Sequence, residues 1–453
     1  GRLRYANNLL PTKEGGMASR PAAVQIVSGD IADAAPWGNR LLIEKQGRIR
    51  LWDGIQENDI APAGRGLQAT SYQALTSNAS REDRLYVADG INPLWYIARR
   101  SGVFGRYDIE NKVKDANGKT YAVPTAQAVA TWRGRLWAAF GTNRGQHCQF
   151  DDPDYWDPLW TVECQGDKPD RILAFKPHNK GLIAGLRHST WAITGDSHYN
   201  WQRDKIAAYG VTGPDAIAGD DQLFFWLSSV ALHQGGQPEP LSDDLRELFA
   251  TPQYPAELAI DRRRRQLLVL IGGRLFVMHL DKPGRFGEIV GHPARGLIAL
   301  DDYTGWYGAD GAWVLGARDV PDRKLDGTQT GFTSLYDTWE DIPNPNGGGR
   351  AKLPRTVAVV LGSSRGNATY TVTASDEKGE NSFSATASLT DRAPDLWSDK
   401  IAGLAGEQWP TAPVRREFAP QLAGTKFRHR LSADCHMEVQ TFEPKYKFGD
   451  AKP

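Results

Sequence analysis

Hydrophobic and polar positions repeat along the first two thirds of the chain. Two polar residues or glycines precede Leu and two further apolar residues in six places, and a seventh copy carries Trp where the others carry Leu. The copies lie about 44 residues apart, and their apolar runs begin at Leu41, Leu85, Leu136, Leu182, Leu223, Leu267 and Trp306. Short apolar runs that end in turn residues predict β-strands rather than helices.

Further strands are predicted around each copy. A second apolar run follows most copies after a short turn, as in Ile49–Trp52, and a strand of small residues often precedes them, as in Val129-Ala130. Three recognisable strands with room for a fourth match one blade of a β-propeller. Small residues suit the crowded centre of such a ring, and bulky aromatic residues suit its wider outer gaps. We therefore predict an all-β propeller of about seven blades. Six or eight blades also fit the spacing, and a run of unrelated hairpins in two sandwiches is the alternative.

The repeat stops after residue 316, which divides the chain. Residues 317–353 are predicted to be a linker or loop, because Asp341–Gly349 consists largely of Pro, Asn and Gly. Alternating short strands resume in 354–453 and predict an appended C-terminal β-sandwich-like domain. The propeller is expected over 39–316. Residues 1–38 are an extended segment, too short for a domain, which either closes the ring or reaches a neighbouring molecule.

Composition and charge narrow the classes of function. The chain has 54 Lys and Arg and 54 Asp and Glu, so its formal charge is zero, whereas tight general binding of nucleic acid requires a basic excess. No window approaches the ~18 apolar residues of a membrane span, and no signal peptide is visible in a chain that begins at Gly1. Cys148, Cys164 and Cys435 lack metal-ligand spacing, and buried free thiols are favoured over a Cys148–Cys164 disulfide.

Two charged runs are candidate sites. Asp151–Asp157 holds four carboxylates in seven residues. Such a loop could bind Ca²⁺ through oxygen ligands, but its two Asp-Pro pairs favour a solvated turn. Arg262–Arg265 precedes a strand, so a charged hairpin turn is favoured over a rim that faces phosphate or another subunit. Metal-ligand spacings, nucleophile motifs and phosphate loops are absent from the sequence. We therefore predict no catalytic, cofactor-binding or metal residues, and a protein that is not an enzyme.

Three stretches of the chain carry a family resemblance: Asn7–Pro21, His188–Gly213 and Glu417–Leu431. In the first, an Asn-rich segment leads into Glu-Gly-Gly and then Arg-Pro. In the second, Ser-Thr-Trp-Ala-Ile-Thr-Gly precedes a Gly-Val-Thr-Gly turn, and the third consists of terminal strands. These stretches resemble the tail hub or nozzle proteins of short-tailed bacteriophages, including those called packaged-DNA stabilisation proteins. Ala22 departs from the pattern, since Gly usually follows Arg-Pro in that family.

The resemblance implies a structural protein of the virion, assembled in the bacterial cytoplasm. In that family several copies, typically six, form a ring below the portal and adaptor proteins. The ring continues the DNA channel, retains packaged DNA and supports genome ejection. A formally neutral chain suits a channel through which DNA passes without many phosphate contacts.

Two other functions fit a propeller. The first is a glycan-binding protein or glycoside hydrolase, because the 15 tryptophans could stack on sugars. The second is an interaction hub of the WD-repeat kind, for which Trp52-Asp53 at a strand end is a weak indication.

Overall fold

A computed structural model describes residues 3–13, 17–75, 80–165, 169–237, 240–241, 256–316, 322–325, 329–330, 334–338, 352–361, 367–376, 379–388, 414–418, 426–433 and 438–448. Within these ranges the regular structure is β-strand, and none of it is a helix long and apolar enough to cross a membrane. The chain divides into two compact units. The propeller unit comprises 25–274 and 293–314, and the terminal unit comprises 1–24, 275–292 and 315–453.

The strands are numbered in chain order. The first four are β1 (Leu3–Asn7), β2 (Leu9–Pro11), β3 (Met17–Ser19) and β4 (Ala23–Ser28). The repeats contain β5 (Asp33–Trp37), β6 (Arg40–Lys45), β7 (Arg48–Trp52), β8 (Glu57–Pro62), β9 (Gln68–Leu75), β10 (Arg81–Ala88), β11 (Trp95–Arg100), β12 (Val103–Asp108), β13 (Ala128–Trp132), β14 (Arg135–Ala139), β15 (Arg144–His147), β16 (Thr161–Glu163), β17 (Ile172–His178), β18 (Gly181–Leu186), β19 (Thr190–Thr194), β20 (Gln202–Ala207), β21 (Ile217–Gly219), β22 (Phe224–Leu227), β23 (Leu232–Gln234), β24 (Ala256–Asp261), β25 (Gln266–Ile271), β26 (Arg274–His279), β27 (Phe286–Ile289), β28 (Gly296–Ala299), β29 (Thr304–Gly308) and β30 (Gly311–Leu315). The remainder are β31 (Asp322–Arg323), β32 (Gln329–Thr330), β33 (Ser334–Thr338), β34 (Lys352–Leu361), β35 (Asn367–Asp376), β36 (Gly379–Ser388), β37 (Val414–Phe418), β38 (Lys426–Ala433) and β39 (Glu438–Phe448).

Seven inner strands of the propeller unit form a closed ring. They follow one another in the order β5, β9, β13, β17, β21, β24 and β28, and β28 lies beside β5 again. Antiparallel sheets run outward from them, with four strands each in β5–β8, β9–β12, β13–β16 and β17–β20. Within the described ranges the fifth sheet has three strands, β21–β23. The predicted all-β propeller is confirmed, and the seven apolar runs correspond to its seven repeats.

The seventh blade is completed by a strand from the start of the chain. Its order is β28-β29-β30-β4. The side-chain amide of Gln25 donates a hydrogen bond of 2.6 Å to the carbonyl of Asp310, next to β30. The last blade of the ring is thus closed by hydrogen bonds between segments far apart in sequence. This closure is one of the two roles expected for residues 1–38.

Burial explains why the repeat is visible in the sequence. The apolar runs form the second strand of each blade, and Leu41, Leu182, Leu267 and Trp306 are fully buried there. Every residue of β18 and of β25 is buried, whereas most of the outer strand β20 is exposed. A sheet packed on both faces needs a continuous apolar run rather than an alternating one.

Large aromatic side chains fill the gaps between blades. Trp95 packs against the first blade, Trp156 against the second and Trp137 against the fourth. All three are essentially inaccessible to solvent. The wider outer gaps therefore hold bulky residues, as expected, and burying such rings is among the larger stabilising contributions in a core.

The terminal unit contains two sheets that combine both ends of the chain. One includes the order β26-β27-β1-β33-β38-β35-β36, and the other has the order β2-β3-β39-β34-β37. Tyr370, Val372, Leu431 and Val439 are buried in this unit. The appended β-domain is confirmed, but it also includes β1–β3 and β33, which fall in the ranges predicted as an N-terminal segment and a linker. Asp341–Gly349 lies outside the described residues.

Candidate functional site

A cavity of about 560 Å³ lies within the ring of inner strands. Six of the seven inner strands contribute alanines to its wall: Ala35, Ala69, Ala130, Ala218, Ala259 and Ala299. The fourth inner strand contributes Lys176, and Gln68, Asp215 and Glu257 also line the cavity. The small residues of the inner strands leave this space open, and charged groups from separate blades converge on it.

Asp33 and Tyr307 form the first polar pair of this site. The Tyr307 hydroxyl donates a hydrogen bond of 3.1 Å to Asp33 Oδ1, which also accepts one of 2.8 Å from the Ala34 amide. Burial, reinforced by the negative charge of Asp215, raises the pKa of Asp33 to about 7. Tyr307 is buried, and its ring packs where a Cβ atom on Gly296 would come within 2.1 Å of it. Glycine at position 296 is therefore required for this arrangement.

Glu257 lies on β24 beside this pair. Its Oε2 accepts a hydrogen bond of 2.7 Å from the Leu297 amide on the adjacent inner strand, and it also interacts with the Tyr307 hydroxyl. Burial first, and then the charge of Asp215, raise the pKa of Glu257 well above its ordinary value. Like charges that share a poorly solvated space cannot all ionise easily, so this site retains protons near neutral pH.

Asp215 and Lys176 complete the group. Asp215 precedes β21, and its Oδ1 accepts a hydrogen bond of 2.7 Å from the Gln68 side chain. Burial raises the pKa of Asp215, while burial and the charge of Arg262 lower the pKa of Lys176. These two residues influence each other electrostatically without approaching to ion-pair distance. Lys176 and Asp215 therefore line the same cavity without forming a direct ion pair.

The Arg262–Arg265 run forms the turn between β24 and β25. Arg262 and Arg263 line the axial cavity. Arg264 instead pairs with Asp261 at 2.8 Å, and Arg265 adopts a left-handed φ of 53°. The run is a hairpin turn, as favoured from the sequence, and two of its arginines carry positive charge at the same cavity. Whether it also faces phosphate or another subunit stays a prediction.

The Asp151–Asp157 loop is neutralised by basic side chains. Arg81 forms two hydrogen bonds of 3.1 and 3.0 Å to Asp151, and Lys112 lies 2.7 and 2.8 Å from the carboxylate oxygens of Asp152. Arg84 lies 3.4 Å from Asp154. Asp157 accepts a hydrogen bond from the Leu159 amide in the turn itself. Within the part of the chain that is described, no group of His, Cys, Asp or Glu is arranged to hold a metal ion.

Other candidates from the sequence have structural roles. Cys148 and Cys164 are buried free thiols, as predicted, and Cys435 lies outside the described residues. Trp52-Asp53 ends β7, where Asp53 accepts hydrogen bonds from the Ile55 and Gln56 amides and shapes a turn. Trp160 stacks with two imidazole rings, His147 at 5.7 Å and His198 at 4.7 Å, so this indole already has aromatic partners within the protein.

The charged and polar residues at the axial cavity, Asp33, Lys176, Asp215, Glu257 and Tyr307, are called the axial group below. The sequence analysis did not predict this group. Asp33, Asp215 and Glu257 belong to different repeats and match no motif. A usable signal was present, because Lys176 and Glu257 are charged residues inside short strands of small and apolar residues that precede the repeat. A charged side chain on an inner strand of a propeller can face the central axis. An alignment of the repeats by their inner strands would therefore have identified the charged residues at such positions.

No protein-family model matches the sequence, and no curated protein matches it. Among solved structures, the computationally designed Ika8 protein is similar to 66% of this chain over 99% of its own length, with 10% identity and a TM-score of 0.39. The AfRom2 CNH domain is similar over the same shares of both chains, with 8% identity and a TM-score of 0.40. The fold assignment rests on the strand pairing of this chain and not on these likenesses.

Proposed function

We propose that this chain is a structural subunit of the tail hub or nozzle of a short-tailed bacteriophage. In this proposal several copies, six in the family that the sequence resembles, form a ring below the portal and adaptor proteins. The ring continues the DNA channel, retains packaged DNA and supports genome ejection. The observation that carries the proposal is the role of the N-terminal motif in the terminal unit.

The residues of that motif fix the start of the chain. Asn8 has a left-handed φ of 56°, and its side-chain oxygen accepts hydrogen bonds from Arg20 Nε at 3.0 Å and from the Val290 amide at 3.1 Å. Arg20 is buried and donates a further bond of 2.9 Å to the Pro21 carbonyl. The Asn and the Arg-Pro of the motif therefore belong to one buried network, which gives this part of the resemblance a structural reason.

The N-terminal and C-terminal stretches that carry the resemblance belong to the same unit. Met17 and Ala18 pair with Val439 and Glu438. Strand β1 pairs with β33, and β33 pairs with β38, which contains residues 426–431 of the C-terminal stretch. Two matches far apart in sequence thus belong to one structure, which supports a common origin better than two isolated motifs would.

The test is assembly. We expect the purified chain to form rings in negative-stain images and in analytical ultracentrifugation, with subunit interfaces well above the ~2,000 Å² typical of obligate assemblies. It should also join a complex of portal and adaptor proteins from a short-tailed phage. A chain that stays monomeric at high concentration and does not join that complex would overturn the proposal.

A second function, that of a glycan-binding protein or glycoside hydrolase, is favoured by the axial cavity. Glycoside hydrolysis uses a carboxylic acid that stays protonated near neutral pH beside a second carboxyl group. Asp33 has a raised pKa of about 7, and Glu257 and Asp215 lie beside it. Arg262 and Arg263 add positive charge at the same cavity.

This function is tested by turnover of a panel of chromogenic glycosides and by a glycan array. Asp33→Asn should abolish turnover without unfolding the chain, and Asp59→Asn on the exposed surface is the control. No turnover and no bound glycan across both panels would remove this candidate, whatever the outcome of the assembly experiment.

A further inference from the structure

Four aromatic rings beside the fifth blade form one parallel stack. Tyr209 and His233 stack at 5.2 Å with an interplanar angle of 17°, and His233 and Trp226 stack at 5.0 Å and 16°. Phe224 follows Trp226 at 5.6 Å and 19°. His233, Trp226 and Phe224 are buried, whereas Tyr209 is 53% exposed. The stack therefore ends at the surface in one accessible ring.

Two arginines lie opposite each other at the end of the β17–β18 pair in the fourth blade. These strands pair Ile172 with Leu186. Directly beyond that pair, the Arg187 amide donates a hydrogen bond of 3.1 Å to the Arg171 carbonyl. Both arginines are exposed, and neither guanidinium has a hydrogen bond or an ion pair with any residue that the structure describes. Like charges at opposite positions of an antiparallel pair repel each other, and an anion bound between them would remove this repulsion.

The loop between β20 and β21 brings Tyr209 to these arginines. The Tyr209 carbonyl accepts a hydrogen bond of 2.8 Å from Thr190 Oγ1. The next residue, Gly210, lies so close to the backbone of Arg187 that a Cβ atom would come within 2.4 Å of the Arg187 carbonyl carbon. This loop belongs to the His188–Gly213 stretch, and its glycine is required for the close approach. An exposed ring and two arginines without counter-ions are therefore neighbours.

The charge around this surface is positive. Asp170 is the carboxylate beside the two arginines, and it accepts a hydrogen bond of 3.0 Å from the Ser189 hydroxyl. It provides one negative charge against two positive charges. On the outer strand β20, Arg203 and Lys205 outnumber Asp204, and all three side chains are exposed. An anionic group can therefore bind to the two arginines without displacing an existing ion pair.

We propose that this surface binds a nucleotide of a single-stranded nucleic acid, with its base on the open face of Tyr209 and a phosphate between Arg171 and Arg187. Guanidinium groups bind phosphate oxygens in a bidentate manner, and bases stack on exposed aromatic rings with little regard to sequence. The carboxylates of an acidic peptide would satisfy the arginines but leave the end of the ring stack unused. The proposal depends neither on the tail ring nor on the axial cavity, and failure of either leaves it standing.

The test is fluorescence anisotropy of the full chain at pH 7 with two labelled single-stranded octamers, one of deoxyadenylate and one that is abasic and keeps only the sugars and phosphates. We expect the deoxyadenylate octamer to bind at least ~5-fold more tightly, because one stacked base contributes about this factor. Octaglutamate should compete only weakly with it. Equal affinity for the abasic octamer, competition by octaglutamate equal to that by unlabelled DNA, or no binding of the deoxyadenylate octamer would overturn the proposal.

A variant of Tyr209 tests the stack. Tyr209→Ala should weaken binding of the deoxyadenylate octamer ~5-fold or more and leave the abasic octamer unaffected. Tyr121→Ala, at an exposed tyrosine of the loop that follows β12, is the matched control and should change neither. Equal losses for the two octamers in Tyr209→Ala would overturn the assignment of the base. Should that variant not fold, the ratio of the wild-type affinities for the two octamers still decides the matter.

A variant of Arg187 tests the phosphate contact. Arg187→Met should weaken binding of both octamers and reduce the magnitude of the slope of log K against log salt concentration by about 0.7, because one phosphate contact with a single strand is lost. Arg65→Met, at an exposed arginine that precedes the second blade, should leave the slope unchanged. An unchanged slope in Arg187→Met would overturn the assignment of the phosphate.

Discussion

Carboxylates gather in two places in the propeller unit, the Asp151–Asp157 loop and the axial cavity, and the two groups are stabilised differently. In the loop, Asp151 and Asp152 lie directly against basic side chains near the surface. In the cavity, Asp33 and Glu257 are stabilised by hydrogen bonds and by retained protons. Carboxylates that are neighbours in sequence can be neutralised locally, whereas carboxylates brought together by the fold share one enclosed space.

Asp154 is intermediate between the loop carboxylates and the cavity carboxylates. It belongs to the loop, yet burial raises its pKa, against the opposing charges of Arg84 and Lys112. Arg84 is itself buried, donates to Glu82 at 2.6 Å, and lies over the Tyr96 ring at 4.3 Å. The loop is therefore anchored at this one point to the interior of the second blade.

The largest effect is expected from Arg84→Met. This change leaves Asp154 and Glu82 partly buried without the guanidinium that they share, which should lower the free energy of unfolding by about 3 kcal/mol. Urea denaturation monitored by tryptophan fluorescence measures it. Arg48→Met, in an exposed pair with Asp59, is the matched control and should cost less than about 1 kcal/mol. Equal losses in the two variants would remove the distinction between the anchor and the surface pairs.

Gly296→Ala should disrupt the axial group through a steric clash, without changing any charge. A Cβ atom there overlaps the Tyr307 ring, so the ring must move away from Asp33 and Glu257, at an expected cost of about 2 kcal/mol. Gly213→Ala is the control, because nothing lies within 4 Å of the added atom. Its free energy of unfolding should stay within about 0.5 kcal/mol of wild type. A comparable loss in both variants would show that Tyr307 is not held as described.

Asp33→Asn distinguishes the effect of the proton on Asp33 from the effect of its hydrogen bond with Tyr307. The folded state raises the pKa of Asp33 from 3.8 to about 7, so it binds the proton more tightly than the unfolded chain does. The contribution of Asp33 to stability therefore falls as pH rises from about 4 to about 7. Asn keeps an oxygen for Tyr307 but cannot ionise. The shift in pKa corresponds to about 4 kcal/mol at pH 8, and because Asp33 is partly exposed we expect the variant to be more stable than wild type there by about half of this, about 2 kcal/mol. Urea denaturation at pH 4 and pH 8 checks this, and a gain of equal size at both pH values would contradict it.

The smallest effect is expected in the loop. Arg81→Met removes an exposed partner of Asp151 and should cost about 0.5 kcal/mol. Added Ca²⁺ should leave the melting temperature of the wild type unchanged, because Asp151, Asp152 and Asp154 already have basic partners. A rise in melting temperature with Ca²⁺ that Asp152→Asn abolishes would restore the cation site considered from the sequence.

The sequence predicted the parts of the fold that depend on local pattern. Leu41, Leu182 and Leu267 marked the second strand of their blades because strands buried on both faces require uninterrupted apolar residues. Strand β4 closes the ring, but its segment was predicted only to close the ring or to reach a neighbouring molecule. The sequence of a short alternating strand does not identify the strand with which it pairs. The pairing of Met17 with Val439 was not visible, because strand pairing over such a separation leaves no local signal.

The candidate sites divide in the same way. The Asp151–Asp157 loop was visible because its carboxylates are consecutive, and its basic partners Arg81, Arg84 and Lys112 come from elsewhere in the chain. The axial group was missed because each of its members is a single charged residue in a different repeat. Its chemistry depends on distances and burial that only the closed ring creates.

The network of Asn8 and Arg20 constrains the order in which the chain can fold. Strands β1 and β3 are synthesised long before their partners, which include β27, β33 and β39. Contacts over such separations slow folding, and β3 keeps an unpaired edge until β39 has been made. A chain that lacks β39 would therefore expose the edge of β3 to pairing with other chains.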